Sequence, residues 1–202
     1  MEWRKIATVE KKRYYTLAIV GMPGAGKSVV ANCLVSEDFK LIRFGSFIIE
    51  EVKRRNLEVT AENERTVRED LRRKYGMDIC AQLALPIIRK YLEQGEKVVI
   101  DGLYSLSEYE TLRTELGSSL LLIAVFTPRE LRYKRLADRP DRPLSAAEAE
   151  SRDMMEVKNI EKSGPIALSD FILINDQSID ALCDKTRQLL LDLGKTLANK
   201  RA

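Results

Sequence analysis

Between residues 21 and 28 the chain reads Gly-Met-Pro-Gly-Ala-Gly-Lys-Ser, which satisfies GxxxxGK[ST] at every position. So many glycines leave a segment few side chains of its own to bury, so its flanks must fix its shape. Residues 15–20 form a short apolar run suited to a buried strand, and residues 26–35 carry a helix pattern. A strand, a glycine-rich turn and a helix in that order aim backbone N–H groups and the positive helix end at one point, which suits a phosphate. Gly21, Gly24, Ala25 and Gly26 supply the turn, with Val29 just behind it in the helix. Lys27 has the reach to meet β- and γ-phosphates, and the Ser28 hydroxyl can ligate Mg²⁺. Nucleoside triphosphate binding is the expectation.

The rest of the chain alternates in the same way. Short strands are expected at residues 41–44, 97–101, 120–126 and 171–175, with two or three charged helices across residues 46–93. Further helices are expected from a Ser105 or Ser107 cap to Leu116, from Pro128 to about Asp138, over residues 145–162, and from about Ile179 onward. Asp-Arg-Pro-Asp-Arg-Pro at residues 138–143 is a break that no helix crosses, and Gly164-Pro165 reads as another. Strands separated by helices imply right-handed parallel crossovers, hence a parallel sheet with helices on both faces. There is no internal repeat, and the first dozen residues and residues 198–202 read as loose ends.

Composition narrows the chemistry. With 202 residues, 45% hydrophobic and 32% charged, the chain is one domain able to bury roughly 70% of its unfolded surface. Lys+Arg less Asp+Glu is 34 − 31 = +3, too small for the whole-chain field to argue for nucleic acid or a membrane surface. Histidine is absent, which excludes Ser-His-Asp and Cys-His catalysis and every His-containing zinc site. Cys33, Cys80 and Cys183 are odd in number and far apart, and read as buried free thiols in a reducing compartment. No stretch approaches the ~20 apolar residues of a membrane span, and the basic start lacks a secretory apolar core. A cytoplasmic protein is expected.

Asp101 closes the apolar run Val98-Val99-Ile100, so on a parallel sheet its carboxylate emerges at the edge where the phosphate loop lies. There it can hold Mg²⁺ or, alternatively, cap the following helix. GTP-dependent switches need base-reading and DxxG segments that are missing here. AAA-type and helicase motors carry paired acids after the second strand, where this chain has Asp101 followed by Gly102-Leu103. Small phosphotransferases need cations on a mobile cover. Arg129, Arg132, Lys134, Arg135, Arg139 and Arg142 crowd around the Pro-rich break, with Arg152 on the next helix, and Arg135 and Arg139 share a helix face. Such a segment can close over phosphates and exclude water, or it can be a solvated basic face.

On these residues the chain resembles the adenylate-kinase-like nucleoside monophosphate kinases. Within that group it looks closest to archaeal adenylate-kinase-like or dephospho-CoA-kinase-like ATPases. GMPGAGKS carries the resemblance, with FGSFIIEEVKRRNLEVTAEN, VVIDGLYSLSEYETLR, RYKRLADRPDRP with SRDMMEVKN, and FILINDQSIDAL in matching order. It implies an α/β fold with a five-stranded parallel sheet of order 2-3-1-4-5, an acceptor-binding insertion over about residues 45–94 and a lid over about residues 136–152. It further implies ATP and Mg²⁺ as cofactors, Arg135 stacked on adenine and Arg139 on phosphates. Arg152 would touch the transferring group, and Asn175-Asp176-Gln177 would lie beside adenine, though turn chemistry accounts for that tripeptide equally well.

The chain departs from the family on the acceptor side. Gly45-Ser46-Phe47-Ile48-Ile49 lacks the GDxxR residues, and Tyr104, ahead of Ser105, stands where relatives carry Arg. Each lost arginine removes a charge-assisted contact of about 1.5–3 kcal/mol. Substitutes exist in Arg54, Arg65, Arg68, Arg72 and Arg73, of which Arg65, Arg68 and Arg72 share a helix face beside Glu62, Glu64, Glu69 and Asp70. Tyr104 can stack on a planar acceptor or be a structural tyrosine. The reading is an ATP-dependent phosphotransferase taking a nucleoside triphosphate and a small phosphorylated acceptor, with no membrane partner. A regulatory NTP-binding slow ATPase and a nucleic-acid end kinase are the alternatives.

Overall fold

The computed structural model describes the backbone of residues 15–199 and the side chains of residues 15–195. The expected loose start, residues 1–12, lies outside the described residues, as do residues 200–202. At the other end the helix runs through Asn199, so residues 198–199 continue regular structure instead of fraying as expected.

In chain order the elements are β1 (Thr16–Val20), α1 (Lys27–Val35), β2 (Phe39–Arg43), α2 (Phe44–Arg54), α3 (Ala61–Tyr75), α4 (Ile79–Glu93) and β3 (Lys97–Asp101). They continue as α5 (Leu106–Leu116), β4 (Leu120–Phe126), α6 (Arg129–Ala137), α7 (Ala146–Ile160), α8 (Ser163–Ala167), β5 (Phe171–Ile174) and α9 (Ile179–Asn199). The five strands pair in parallel in the order β2-β3-β1-β4-β5. That is the order the resemblance implied. The central strand β1 is buried at all five positions, as a strand covered on both faces must be.

Side-chain alternation along β1 sorts the core into two layers. Ala18 and Val20 face the layer built with α2, α3, α4 and α5, where Phe44, Ile48, Val67, Ala84 and Leu112 pack. Leu17 and Ile19 face the opposite layer, where Val30 and Leu34 of α1 meet Leu182 and Leu193 of α9. Near the C-terminal end of β1, Ile19 pairs in register with Asp101 and Ile123. The phosphate-loop motif therefore leaves the sheet beside Asp101.

Three boundaries differ from the sequence reading. Phe44 begins α2 instead of ending β2, because Ile42 and Phe44 are both buried and so mimic strand alternation. The helix expected to reach Lys162 stops at Ile160, where Glu161 takes a left-handed φ of 51°. Gly164-Pro165, expected to be a break, lies inside the short helix α8. Pro165 fits there because the first-turn N–H groups of a helix have no intrahelical acceptor to lose.

The cysteine expectation is corrected. Cys33 on α1 and Cys183 on α9 form a disulfide, with Cα atoms 5.7 Å apart across a separation of 150 residues. The two helices pack side by side, and nothing in the spacing of the cysteines reveals it. Cys80 alone is a buried free thiol, and burial pushes it up to about 12.

Closing so long a loop restricts the unfolded chain, so Cys183→Ser should lower the free energy of unfolding by roughly 2–4 kcal/mol. Alkylation of the denatured, unreduced chain should modify Cys80 only, and reduction should expose all three cysteines. Full alkylation without reductant would contradict the crosslink.

Candidate active site

Because Gly24 and Gly26 sit at φ 79° and 101°, consecutive amides between β1 and α1 can turn toward a common centre. Side chains are excluded by space as well as by conformation. A Cβ on Gly26 would lie 2.2 Å from the Asn175 Nδ2, and one on Gly24 would lie 2.9 Å from the Arg132 carbonyl oxygen. Ala25, buried between them, turns its carbonyl inward, where Asn175 Nδ2 donates to it at 2.8 Å and the Thr127 Oγ1 lies 3.0 Å away. Val29 packs half-buried against the core of that layer.

A second brace comes from α6. Arg132 is buried, and its Nη1 donates to the Pro23 carbonyl at 3.0 Å. The same guanidinium grips Asp153 of α7 bidentately, at 3.1 and 2.7 Å. Tyr133 donates its hydroxyl to Asp153 at 3.2 Å. Arg132 had stood in the sequence only as one of the cover's arginines. Its spacing of four from buried Leu136 on α6 was the available signal that it points inward.

Lys27 reaches back along the loop, and its Nζ donates to the carbonyls of Gly21 at 2.9 Å and Met22 at 3.1 Å. Burial first, and then the charge of Lys162, hold its ammonium down at about 7, against the pull of Glu156 and Asp101. Ser28, one residue on, is exposed. Asp101 is half-buried at the end of β3, and burial raises its carboxyl despite Lys27 and Arg43 nearby. Its nearest cation is the Arg43 Nε at 3.9 Å, and it accepts no hydrogen bond among the described residues. A carboxylate with free lone pairs and a serine hydroxyl at the loop's mouth are hard oxygen donors, a donor set that suits Mg²⁺.

A cationic wall faces Lys27. Arg152 of α7 donates from Nε to Glu156 Oε1 at 3.1 Å, and the other Glu156 oxygen pairs with the Lys162 ammonium. Burial works to raise Glu156, yet Lys162 and Arg152 hold its carboxyl below the ordinary range. Lys162 itself is 1% exposed and lies 4.6 Å above the centre of the Tyr104 ring. Burial pushes its ammonium down, opposed by Glu156. Neither Lys162 nor its pairing with Glu156 was read from the sequence. The reversal of φ at Glu161 turns Lys162 inward, and no local pattern announces it.

The remaining site expectations fall in varied places. Arg135 lies below the cover, donating from Nη1 to Thr127 Oγ1 and from Nη2 to Asn175 Oδ1, each at 3.4 Å. Asn175 is buried and braces Ala25 and Arg135, so its amide is committed to the underside of the loop. Arg139 is exposed and makes no ion pair or hydrogen bond among the described residues. Arg142, at φ 53°, reaches from the cover to Glu64 of α3 at 3.2 Å. On the insertion, Arg54 pairs with Glu51, Arg65 with Glu69 and Arg73 with Asp70, all on solvated faces. Arg68 and Arg72 turn inward instead. Among the described residues no helix is long and apolar enough to cross a membrane, and no group of three or more acidic or cysteine side chains is placed to hold a metal by itself.

Residues 17–156 match the AAA domain family AAA_18. The UPF0200 protein of Thermococcus onnurineus is 35% identical over 163 residues, covering 79% of this chain and 88% of that one. The UPF0200/UPF0201 protein of Archaeoglobus fulgidus is 34% identical over 183 residues, and the match spans 90% of this chain but only 56% of that longer protein. Among solved structures, shikimate kinase from Bacteroides thetaiotaomicron superposes with a TM-score of 0.58 at 14% identity, covering 87% of this chain and 98% of that one. The chain belongs to the AAA_18 family and to the UPF0200 proteins. The family's description names the AAA class that the single acid at Asp101 had set aside, while the fold is that of the P-loop kinases.

Removing the Asp153 carboxylate would leave a buried guanidinium unpaired, which costs about 3–5 kcal/mol. Asp153→Ala should therefore lower the urea midpoint strongly and weaken nucleotide binding through Pro23. Arg129→Ala, which breaks an exposed pair with Glu150 at 3.7 Å, should change stability by less than about 1 kcal/mol. Equal effects would remove Arg132 from its bracing role.

Proposed function

We propose that the chain is an ATP-dependent kinase that transfers the γ-phosphoryl group to a small acceptor. The observation that carries this reading is the meeting of two charge systems at one sheet edge. A loop of inward amides holds the donor, and facing it stand Lys27, Arg152 and Lys162 with too few carboxylates to neutralise them. Phosphoryl transfer asks for this, because its transition state spreads negative charge over three equatorial oxygens and leaves the protein little covalent work.

Ser28 and Asp101 would hold Mg²⁺, which supplies charge neutralisation on the β- and γ-oxygens when bound. Lys27 would exchange the Gly21 and Met22 carbonyls for phosphate oxygens. Arg139, free on the cover, would swing onto the phosphates as residues 136–152 close and exclude water. Arg135 beneath the cover and Asn175 would bound the adenine side. The acceptor would enter over the insertion, residues 45–94. Its oxygen forms the new bond to phosphorus as the bond to the bridging oxygen breaks, and that electron pair leaves with ADP. An ionised phosphate acceptor brings no proton, and so needs no general base. The cytoplasm remains the proposed setting, supported by the use of ATP and no longer by the cysteines.

One observation favours a second reading, a regulatory ATPase. Tyr104 occupies the place where the resembling kinases carry an acceptor arginine. ADP release from ATP and Mg²⁺, alone and with nucleoside monophosphates, dephospho-CoA and a 5′-hydroxyl oligonucleotide, separates the two. Stimulation of about a hundredfold or more by one acceptor is expected, with Lys27→Ala removing a similar factor. Slow hydrolysis indifferent to every acceptor would favour the regulatory reading.

Lys27 also sets a proton signature. Its folded value near 7 lies below the unfolded 10.5, so its protonation penalises the unliganded fold fully below pH 7, and the penalty fades as pH rises toward 10.5. A bound triphosphate restores the charge. At pH 8, binding should therefore take up close to one proton, read from calorimetry in buffers of different ionisation enthalpy. Zero uptake would contradict a largely neutral Lys27 in the unliganded chain.

A further inference from the structure

At the crosslink between α1 and α9 two helix faces form one seam. Val29, Asn32, Cys33 and Ser36 are spaced three and four apart along α1 and its cap, and Ile179 and Cys183 lie four apart on α9, so each set shares a face. Together they line a cavity of about 400 Å³. Cys33 is buried and Cys183 half-buried, while Asn32, Ser36 and Ile179 beside them are exposed. The bond thus borders open volume that a small thiol can enter. Cys80 is no rival for such chemistry, since it is buried with its thiol pushed up to about 12.

Both helices of the seam also bear on the phosphate loop. α1 begins with Lys27 and Ser28, so a shift of this nine-residue helix carries both with it. On α9, Leu182 precedes the bridged cysteine and is buried, and its Cδ2 lies 3.5 Å from where a Cβ on Gly26 would stand. Asn32, on the seam itself, accepts from Arg43 Nη2 at 3.5 Å, and the Arg43 Nε lies 3.9 Å from Asp101. The apolar layer around Val30, Leu34, Leu182 and Leu193 keeps the two helices together whether or not the sulfurs are joined. What the covalent bond adds is register: one fixed position of α1 against α9, and hence of the helical turn that carries Lys27 and Ser28.

We propose that Cys33 and Cys183 form a redox switch on the nucleotide site: crosslinked, the chain binds the triphosphate tightly, and opened by a dithiol it binds weakly. This rests on the reading of the loop as a nucleotide site and adds its regulation. The exchange runs in two steps. A thiolate of the dithiol attacks Sγ of Cys183, the less buried of the pair, and the Cys33–Cys183 bond breaks with its electron pair leaving on Cys33 Sγ, which takes up a proton. The dithiol's second thiolate then displaces Cys183 Sγ, which is protonated in turn, and the reductant departs as a cyclic disulfide. A reducing compartment drives the chain toward the open form, and a small-molecule disulfide returns it. The coupling arises from preorganisation, because an uncrosslinked α1 must be fixed at the moment the phosphates bind.

The test titrates the full chain with a non-hydrolysable ATP analogue and Mg²⁺ in a calorimeter, with the disulfide intact and after reduction by dithiothreitol. Reduction is expected to weaken binding about fivefold or more, while far-UV circular dichroism shows the chain still folded. By linkage, saturating analogue should shift the ratio of reduced to oxidised dithiothreitol at half-reduction by the same factor, in favour of the crosslinked form. The double variant Cys33→Ser with Cys183→Ser should bind like the reduced chain and ignore dithiothreitol. If that variant fails to fold, the reduced parent supplies the same comparison. Equal affinity of the crosslinked and reduced chains, or a bond that opens only at urea concentrations that unfold the chain, would overturn the switch and leave the nucleotide site standing. Failure of the analogue to bind either form would overturn both.

Discussion

A loop made of glycines cannot hold itself open, and the phosphate-loop edge of this fold depends on restraint from elsewhere. The restraint comes from under and behind the loop. Asn175 and Thr127, at the ends of β5 and β4, secure the Ala25 carbonyl, and Arg132 secures that of Pro23. These contacts cross 100 residues or more of chain, so they exist only once the parallel sheet is complete. That couples donor binding to folding: a nucleotide that rigidifies the loop also stabilises the strand ends that carry its braces. It explains as well why α6 begins where it does, since one helical turn brings Arg132 back over the loop while α7 supplies the carboxylate that makes the buried guanidinium tolerable.

The second organising feature is charge arranged in excess. Around the mouth stand Lys27, Arg152 and Lys162, with Asp101 and Glu156 as the carboxylates that influence Lys27. In the unliganded chain the surplus is relieved locally: Lys27 leans on its own loop's carbonyls, and Glu156 is shared between two cations. Such arrangements are strained in a useful direction. Each makes a place for polyanionic oxygen more favourable than water would, because Lys27 and Lys162 are already largely desolvated and all three cations are already oriented. The same logic separates the two arginine populations of the insertion, with solvated i,i+3 and i,i+4 pairs outside and Arg68 and Arg72 inside.

What was legible in the sequence follows from how local each constraint is. GMPGAGKS identifies its own flanks, because only a buried strand and a helix start make those glycines sensible, and the apolar run ending at Asp101 names its edge of the sheet. The order of the strands came through family resemblance, and the pairing agrees. Hidden features depend on partners distant in the chain or on a single backbone reversal. Cys33 and Cys183 meet only because α1 and α9 pack together. Arg132 and Asp153 each looked like one more charge in a charged segment. Lys162 sat in what read as a helix tail before a Gly-Pro break, and a single left-handed residue, Glu161, converts it into a buried cation.

Tyr104 shows why departures from a family pattern need the surrounding geometry before they are read as loss. Replacing an arginine by tyrosine at that turn removes a positive charge from the acceptor side, which alone argues for a weakened site. Yet the phenol also provides an aromatic face, and an ammonium in a buried place gains from lying over one. Lys162 occupies that face, and its side chain could not be buried so fully without both the ring and Glu156 to compensate for lost water. A positive charge thus stands beside the β3–α5 turn after all, brought there by Lys162 ahead of α8. A site rebuilt in this way would keep the electrostatics of phosphoryl transfer while changing the shape into which an acceptor must fit. Such a change alters acceptor specificity without requiring that the chemistry be given up.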